Sequence, residues 1–116
     1  MENTSEIKLM VALDEDKIPK KIEWLAAAGG VDKPTEAKAF LLSIWDGNEQ
    51  SALRIDLWTK DMMVNEMNDF FFQTFMTMAD TFDRATNRSV LAESIKTFAK
   101  DLKKKMNEAE EKDLKL

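Results

Sequence analysis

Hydrophobic and polar residues alternate along the first quarter of the chain, as they do in strands that bury one face. The alternation runs over 5–13, breaks at a polar turn, and resumes over 21–26 through Ile22 and Trp24. Two glycines and a proline then fall within 29–34, a combination typical of a loop. This part of the chain therefore predicts two strands, at about 5–13 and 21–26, followed by a loop.

The segment that follows is apolar at both odd and even positions, which indicates a strand buried on both faces. We predict this strand at about 37–45, followed by a tight turn at 46–48 that contains Asp, Gly and Asn. A return strand at about 52–59 alternates again, and its polar positions include Arg54 and Asp56. These two side chains are neighbours on one face and are expected to pair, contributing about 0–1 kcal/mol if exposed.

From about residue 63 the hydrophobic period changes to that of an α-helix. Its bulky apolar side chains cover more than half of the circumference, as in a helix that is mostly enclosed. They are Met67, Phe70, Phe71, Phe72, Phe75, Met76, Met78, Ala79 and Phe82. The pattern predicts helices at about 63–84 and 89–107, the second one capped by Asn87 or Ser89. The charged residues 108–116 are predicted to fray.

The predicted order is four strands and then two helices. Short connections favour an antiparallel meander, and helices at the end of the chain favour a layer on the sheet. The sequence therefore predicts one α+β domain over 1–116. It consists of a four-stranded antiparallel meander followed by two C-terminal helices packed on one face.

Two helices cover only one face of a sheet, yet the opposite predicted face is also apolar. An uncovered face of this kind would exceed the few hundred Å² of apolar surface that a monomer usually exposes. We therefore expect this face to bind a second copy of the chain or a partner protein. The candidate interface residues are Leu41, Trp45, Arg54, Asp56 and Trp58.

The residue types that most catalytic sites need are missing from the chain. It contains no cysteine and no histidine, which excludes thiolate metal ligands, a cysteine nucleophile and the usual general base. The candidate acids that remain are Asp46, Asp56, Asp61, Glu66, Asp69, Asp80 and Asp83. Interactions with a helix dipole and with solvent explain them better than catalysis does. We predict no enzymatic activity, no cofactor and no metal; a metal-dependent enzyme using the acids near Asp61 is the weakest alternative.

The Phe- and Met-rich first helix leaves another class of function open. Its side chains most simply fill the core, but Met-rich surfaces also adapt to varied partners. The alternative to an interaction protein is therefore a small-ligand or lipid-binding module, with a cavity lined by Phe and Met between sheet and helices.

Charge and hydropathy argue against nucleic-acid and membrane partners. The formal net charge is −5, and acids directly follow the lysine run at 103–105, as on a solvated helix face. No apolar run approaches membrane-spanning length, and the N-terminal residues do not have the pattern of a secretory signal. We expect a cytoplasmic protein.

Three stretches of the chain resemble one known family. They are SEIKLMVALDEDKIPKKIEW, AFLLSIWDGNEQSALRIDLWTKDMMVNEM and FFFQTFMTMADTFDRATNR, which together span 5 to about 88. On these residues the chain resembles the GldC family of gliding-motility proteins of Bacteroidetes-type bacteria, with IWD and LRIDLWTKDM as the most distinctive segments. Met63 stands where the family pattern leads us to expect a proline, and the region from Val90 onward is only loosely similar.

The resemblance implies a small, soluble accessory protein of surface gliding, with other motility proteins as partners and no catalytic or cofactor residues to carry over. The order of four strands and two helices is also similar to that of the export chaperone SecB, which holds unfolded clients in apolar grooves. That second likeness concerns fold order only. Together these expectations favour a non-enzymatic, homo-oligomeric scaffold or holdase of the gliding machinery.

Overall fold

Five strands and two long helices follow one another in a computed structural model of the chain, which describes residues 3–114. The strands are β1 (Lys8–Leu13), β2 (Pro19–Ala26), β3 (Val31–Ala37), β4 (Ala39–Asp46) and β5 (Ser51–Trp58), and the helices are α1 (Val64–Thr86) and α2 (Ser89–Leu114). The α+β class, with two helices after antiparallel strands, is confirmed. The chain divides after Met62 into a compact strand unit and a compact helix unit. The single domain and the packing of the helices on one sheet face stay predictions.

The first three strands form an antiparallel sheet in the order β1-β2-β3. In this register Val11 of β1 and Ala37 of β3 lie on either side of Ile22 in the central strand. Ile22 is fully buried, and it has an apolar neighbour on each flanking strand. Trp24 shares this face and is half-buried beside Leu9.

The strand β3 lies where the sequence predicted a loop, and that prediction was wrong. The two glycines belong to a short 3₁₀ turn before the strand, and Gly30 adopts a left-handed backbone with φ of 91°. Pro34 lies within β3, in the stretch where the register with β2 shifts. A proline is tolerated there because β3 is an edge strand. The outer side of an edge strand has no neighbouring strand, so the missing N–H of a proline on that side removes no hydrogen bond of the sheet.

The strands β4 and β5 form a separate two-stranded antiparallel sheet, which we call the ribbon. The predicted four-stranded meander was therefore wrong, because β3 occupies the position beside β2 that the strand at 37–45 was expected to take. The turn of the ribbon is held by Asp46, whose Oδ1 accepts hydrogen bonds from the amides of Asn48 (2.9 Å) and Glu49 (3.3 Å). The left-handed residue of this turn is Gln50, with φ of 51°.

The helix unit is an antiparallel hairpin of α1 and α2. Asn87 ends α1 in a left-handed conformation, and its backbone N–H donates to the Asp83 carbonyl. It therefore caps the end of α1. Its predicted role as the N-cap of α2 was wrong. The alanines Ala79, Ala92 and Ala99 are buried. Small side chains at these positions allow the two backbones to approach closely.

The second helix continues through Leu114, past the end predicted at 107. Residues 108–114 of the predicted frayed tail are therefore helical, and 115–116 lie outside the described residues. One contact supports the extension. Glu110 accepts a hydrogen bond from the Asn68 side-chain amide nitrogen of α1 at 2.9 Å.

We predict that Ala99→Leu lowers the free energy of unfolding by roughly 1–3 kcal/mol, because the larger side chain has no space in the buried contact between the helices. Urea denaturation followed by circular dichroism at 222 nm measures the change. Ala109→Leu is the matched control, since Ala109 is exposed on the same helix. Equal stability of the two variants would contradict the close approach of α1 and α2 at Ala99.

Candidate functional site

All five predicted interface residues lie on one face of the ribbon. The register pairs Ala39 with Trp58, Leu41 with Asp56, Ser43 with Arg54, and Trp45 with Ala52, and paired residues share a face. We call these eight residues the tryptophan face. Their role in binding stays a prediction.

The two tryptophans stand at opposite ends of this face, each facing an alanine across the ribbon. Alanine is too short to shield an indole ring, so Trp45 is 67% exposed and Trp58 is 54% exposed. Leu41 lies between them and is also exposed. The face therefore presents separate apolar rings on a rigid pair of strands, which is an arrangement suited to binding another surface.

The polar part of the tryptophan face is a single ion pair. Arg54 Nε donates to Asp56 Oδ2 at 3.1 Å, and both side chains are exposed to solvent. An exposed pair of this kind contributes about 0–1 kcal/mol to stability. Its main effect is to place one positive and one negative group at known positions between the tryptophans.

The opposite face of the ribbon is entirely apolar over three successive rows. It pairs Phe40 with Leu57, Leu42 with Ile55, and Ile44 with Leu53, and we call it the aliphatic face. Ile44, Leu53 and Ile55 are each a little more than half exposed. Parity along each strand gives the composition of this face, but it contains no signal for exposure, so sequence reasoning missed these residues as surface.

Residues 59–61 fix the end of the ribbon to the rest of the strand unit. Thr59 is buried, and its amide donates to the Lys38 carbonyl at 2.8 Å. The amide of Lys60 donates to the Pro19 carbonyl at 3.2 Å. These bonds hold β5 beside the start of β2.

Two carboxylates strengthen this connection. Asp14 accepts hydrogen bonds from the Ile18 amide (3.0 Å) and from Lys60 Nζ (3.0 Å). The Ile18 amide, and then Lys60, hold the pKa of Asp14 below its usual value. The Thr59 hydroxyl donates to Asp61 and lowers the pKa of that carboxyl in the same way.

Each candidate acid has its own partner in a local structural contact. Glu66 accepts a hydrogen bond from the Met63 amide at the start of α1 (3.0 Å). The ion pair of Asp80 with Lys96 (2.8 Å) raises the pKa of that lysine. In residues 3–114, no three acids come close enough together to hold a metal ion. The absence of enzymatic activity stays a prediction.

One recess of the strand unit has a lining unlike the predicted Phe- and Met-lined cavity. Lys20, Lys21, Lys38, Glu36 and Asp61 contribute most of its wall, together with Ile22, Ala37 and Thr59. Its charged lining does not suit an apolar ligand. The predicted cavity between sheet and helices stays a prediction.

Comparison with known families identifies the chain. The family model for gliding motility-associated protein GldC-like matches residues 19–108, which is most of the sequence. The chain belongs to the GldC-like family. Membership in this family indicates involvement in gliding motility. No curated protein and no solved structure matches the sequence.

The GldC-like match begins at the first residue of β2 and includes the ribbon, α1 and most of α2. It leaves out 5–18, where the sequence also resembled the family, and it includes the region from Val90 that resembled the family only loosely. Over the residues that the structure describes, neither helix of this GldC-like chain combines the length and apolar character needed to cross a membrane.

We predict that the strand unit loses stability as the pH falls below about 4. Because the folded chain lowers the pKa of Asp14 and Asp61 from the usual 3.8, their stabilising contribution is present above that value. It is lost as the pH falls through the lowered folded values. Urea denaturation, followed by tryptophan fluorescence between pH 7 and pH 2.5, gives the free energy of unfolding.

The double variant Asp14→Asn/Asp61→Asn should be less stable at pH 7 and show a shallower loss between pH 4 and pH 2.5. Glu15→Gln, an exposed acid in the same turn as Asp14, is the control. If the double variant and the control lose stability with equal slopes, these carboxylates do not fix the ribbon.

Proposed function

We propose that this GldC-like chain is a non-enzymatic interaction protein of the gliding-motility machinery, and that its tryptophan face binds another motility protein. The observation that carries the proposal is the register of the ribbon, which gathers Leu41, Trp45 and Trp58 on one exposed face. Family membership supplies the connection to gliding.

The chemistry of this face supports a protein partner. Tryptophan and arginine are enriched among the residues that dominate binding energy at protein interfaces. At ~200 Å² for a large aromatic side chain, the exposed parts of Trp45 and Trp58 together present roughly 240 Å². The Arg54–Asp56 pair adds both signs of charge, which orient a partner more than they strengthen its binding.

We further propose that the chain acts as a homo-oligomer in the cytoplasm. A two-stranded ribbon is at best marginally stable alone, and Ile44, Leu53 and Ile55 gain stability when another surface covers them. A ribbon with a tryptophan face and an aliphatic face suits a scaffold that binds two surfaces together. A holdase with the client-binding behaviour of SecB is the other form of this proposal. The charged lining of the recess in the strand unit gives the ligand-binding alternative no support.

We predict that Trp45→Ala/Trp58→Ala abolishes restoration of gliding in cells that lack the gene, while the variant accumulates to the normal level. The mechanism is loss of the two aromatic anchors, with little loss of fold, because both side chains are more than half exposed. Colony spreading and single-cell gliding speed measure the effect. Ile18→Ala is the matched control, since Ile18 is an exposed apolar residue outside the ribbon.

Two results would overturn the proposal. One is normal gliding with the double variant, and the other is unfolding of the double variant, which would place the tryptophans in a core. The scaffold and holdase forms are separated by adding the purified protein to a chemically unfolded test protein during refolding. A holdase suppresses its aggregation, whereas a scaffold leaves it unchanged.

A further inference from the structure

The helical hairpin has two unlike sides. On the first, which we call the polar side, Asp80 pairs with Lys96 at 2.8 Å and Asp69 pairs with Lys103 at 2.7 Å. Both pairs join α1 to α2. Charged groups that already have partners across the hairpin keep this side solvated, so no further protein layer is needed there.

The second side, which we call the phenylalanine side, is apolar and partly exposed. Phe71, Met78 and Phe82 of α1 recur at i, i+7 and i+11, and Leu91 and Phe98 of α2 are also seven residues apart, so each set forms one stripe. These five side chains are between 36% and 54% exposed. The rings of Phe75 and Phe98 meet edge to face at 5.6 Å, which joins the two stripes into one surface.

We propose that a second copy of this chain covers the phenylalanine side, by placing the same side of its own hairpin against it to form a four-helix layer. The inference rests on the homo-oligomer proposed above, and it names the surface that forms the oligomer. Helix layers that are apolar on one side are stable when two of them pack together.

The exposed area is sufficient for such a pair. At ~200 Å² for a fully exposed side chain of this size, the five residues present on the order of 450 Å² per copy. Two copies then bury about 900 Å² from these side chains alone. The neighbouring half-buried residues Ile95 and Leu102 bring the total above the ~1,000 Å² that a specific interface requires.

The uncharged stripes are compatible with a second copy as the occupant. Each chain carries a net charge of −5, so two copies repel unless they meet through neutral surfaces. The stripe positions 67, 71, 75, 78 and 82 on α1, and 91, 95, 98 and 102 on α2, are all apolar. Under two-fold symmetry a patch meets itself, and an uncharged patch does so without opposing like charges.

Sedimentation equilibrium of the full chain over micromolar to millimolar concentrations tests the proposal. We expect a dimer or a larger assembly. Met78→Glu and Phe98→Glu should each raise the dissociation constant at least ~100-fold, because they bury an unpaired charge. Thr77→Glu is the matched control, since it adds the same charge at an exposed neighbour of Met78 that lies off the stripe. Circular dichroism confirms that each variant keeps its helices, and Met78→Glu tests the surface without removing the Phe75–Phe98 contact.

Ionic strength provides a second measurement. Because the proposed contact has no charged residues on its stripes, its dissociation constant should change less than about threefold between 50 mM and 500 mM NaCl. A monomer at every concentration would overturn the proposal. An assembly that resists both glutamate variants but dissociates with Trp45→Ala/Trp58→Ala would also overturn it.

These outcomes are separable from failure of the proposed function. Gliding restored by the tryptophan double variant would contradict the tryptophan face as the motility contact. The association states measured for Met78→Glu and Phe98→Glu would still test the contact between hairpins. Conversely, a monomeric wild-type chain would contradict the proposed contact between two hairpins, and the gliding result would still test the tryptophan face as a binding surface.

Discussion

The pairing of β3 with β2 decides which strand lies beside β2. β3 takes the place next to β2, and β4 pairs with β5 in a ribbon of its own. The strand β4, which is apolar on both faces, therefore has a single partner strand. The ribbon exposes its tryptophan and aliphatic faces, and the bonds of residues 59–61 hold the end of β5 beside β2.

The close approach of α1 and α2 has a comparable consequence in the helix unit. Ala79, Ala92 and Ala99 fill the contact between α1 and α2, and small side chains leave no room there for the larger ones. Phe71, Met78 and Phe82 of α1 then project to one side of the hairpin, whereas Phe72 lies near Lys103. The ion pairs of Asp69 and Asp80 lie on the other side. A helix can therefore be rich in aromatic residues without enclosing them within its own unit.

Local sequence pattern predicted the features that depend on periodicity. Parity along each strand separated Leu41 and Trp45 of 37–45, and Arg54, Asp56 and Trp58 of 52–59, from the residues of the opposite face. The register of β4 with β5 then brings both sets onto one face. The α+β class followed from the change of period near residue 63. The pattern could not predict β3, since its glycines belong to the preceding turn and its proline is acceptable only on an edge strand. It also could not predict exposure, which depends on the layers that surround each face.

Pro34 has a consequence for how copies of the protein associate. Its ring nitrogen cannot donate a hydrogen bond, and Asp32, Lys33 and Glu36 surround it along the same strand. An incoming strand would find an interrupted row of donors and a row of charges at this border of the sheet. Growth by successive strand addition, the route to fibrils, is blocked at this border. The protein can therefore carry large apolar faces for finite assemblies while one margin of its sheet resists open-ended polymerisation.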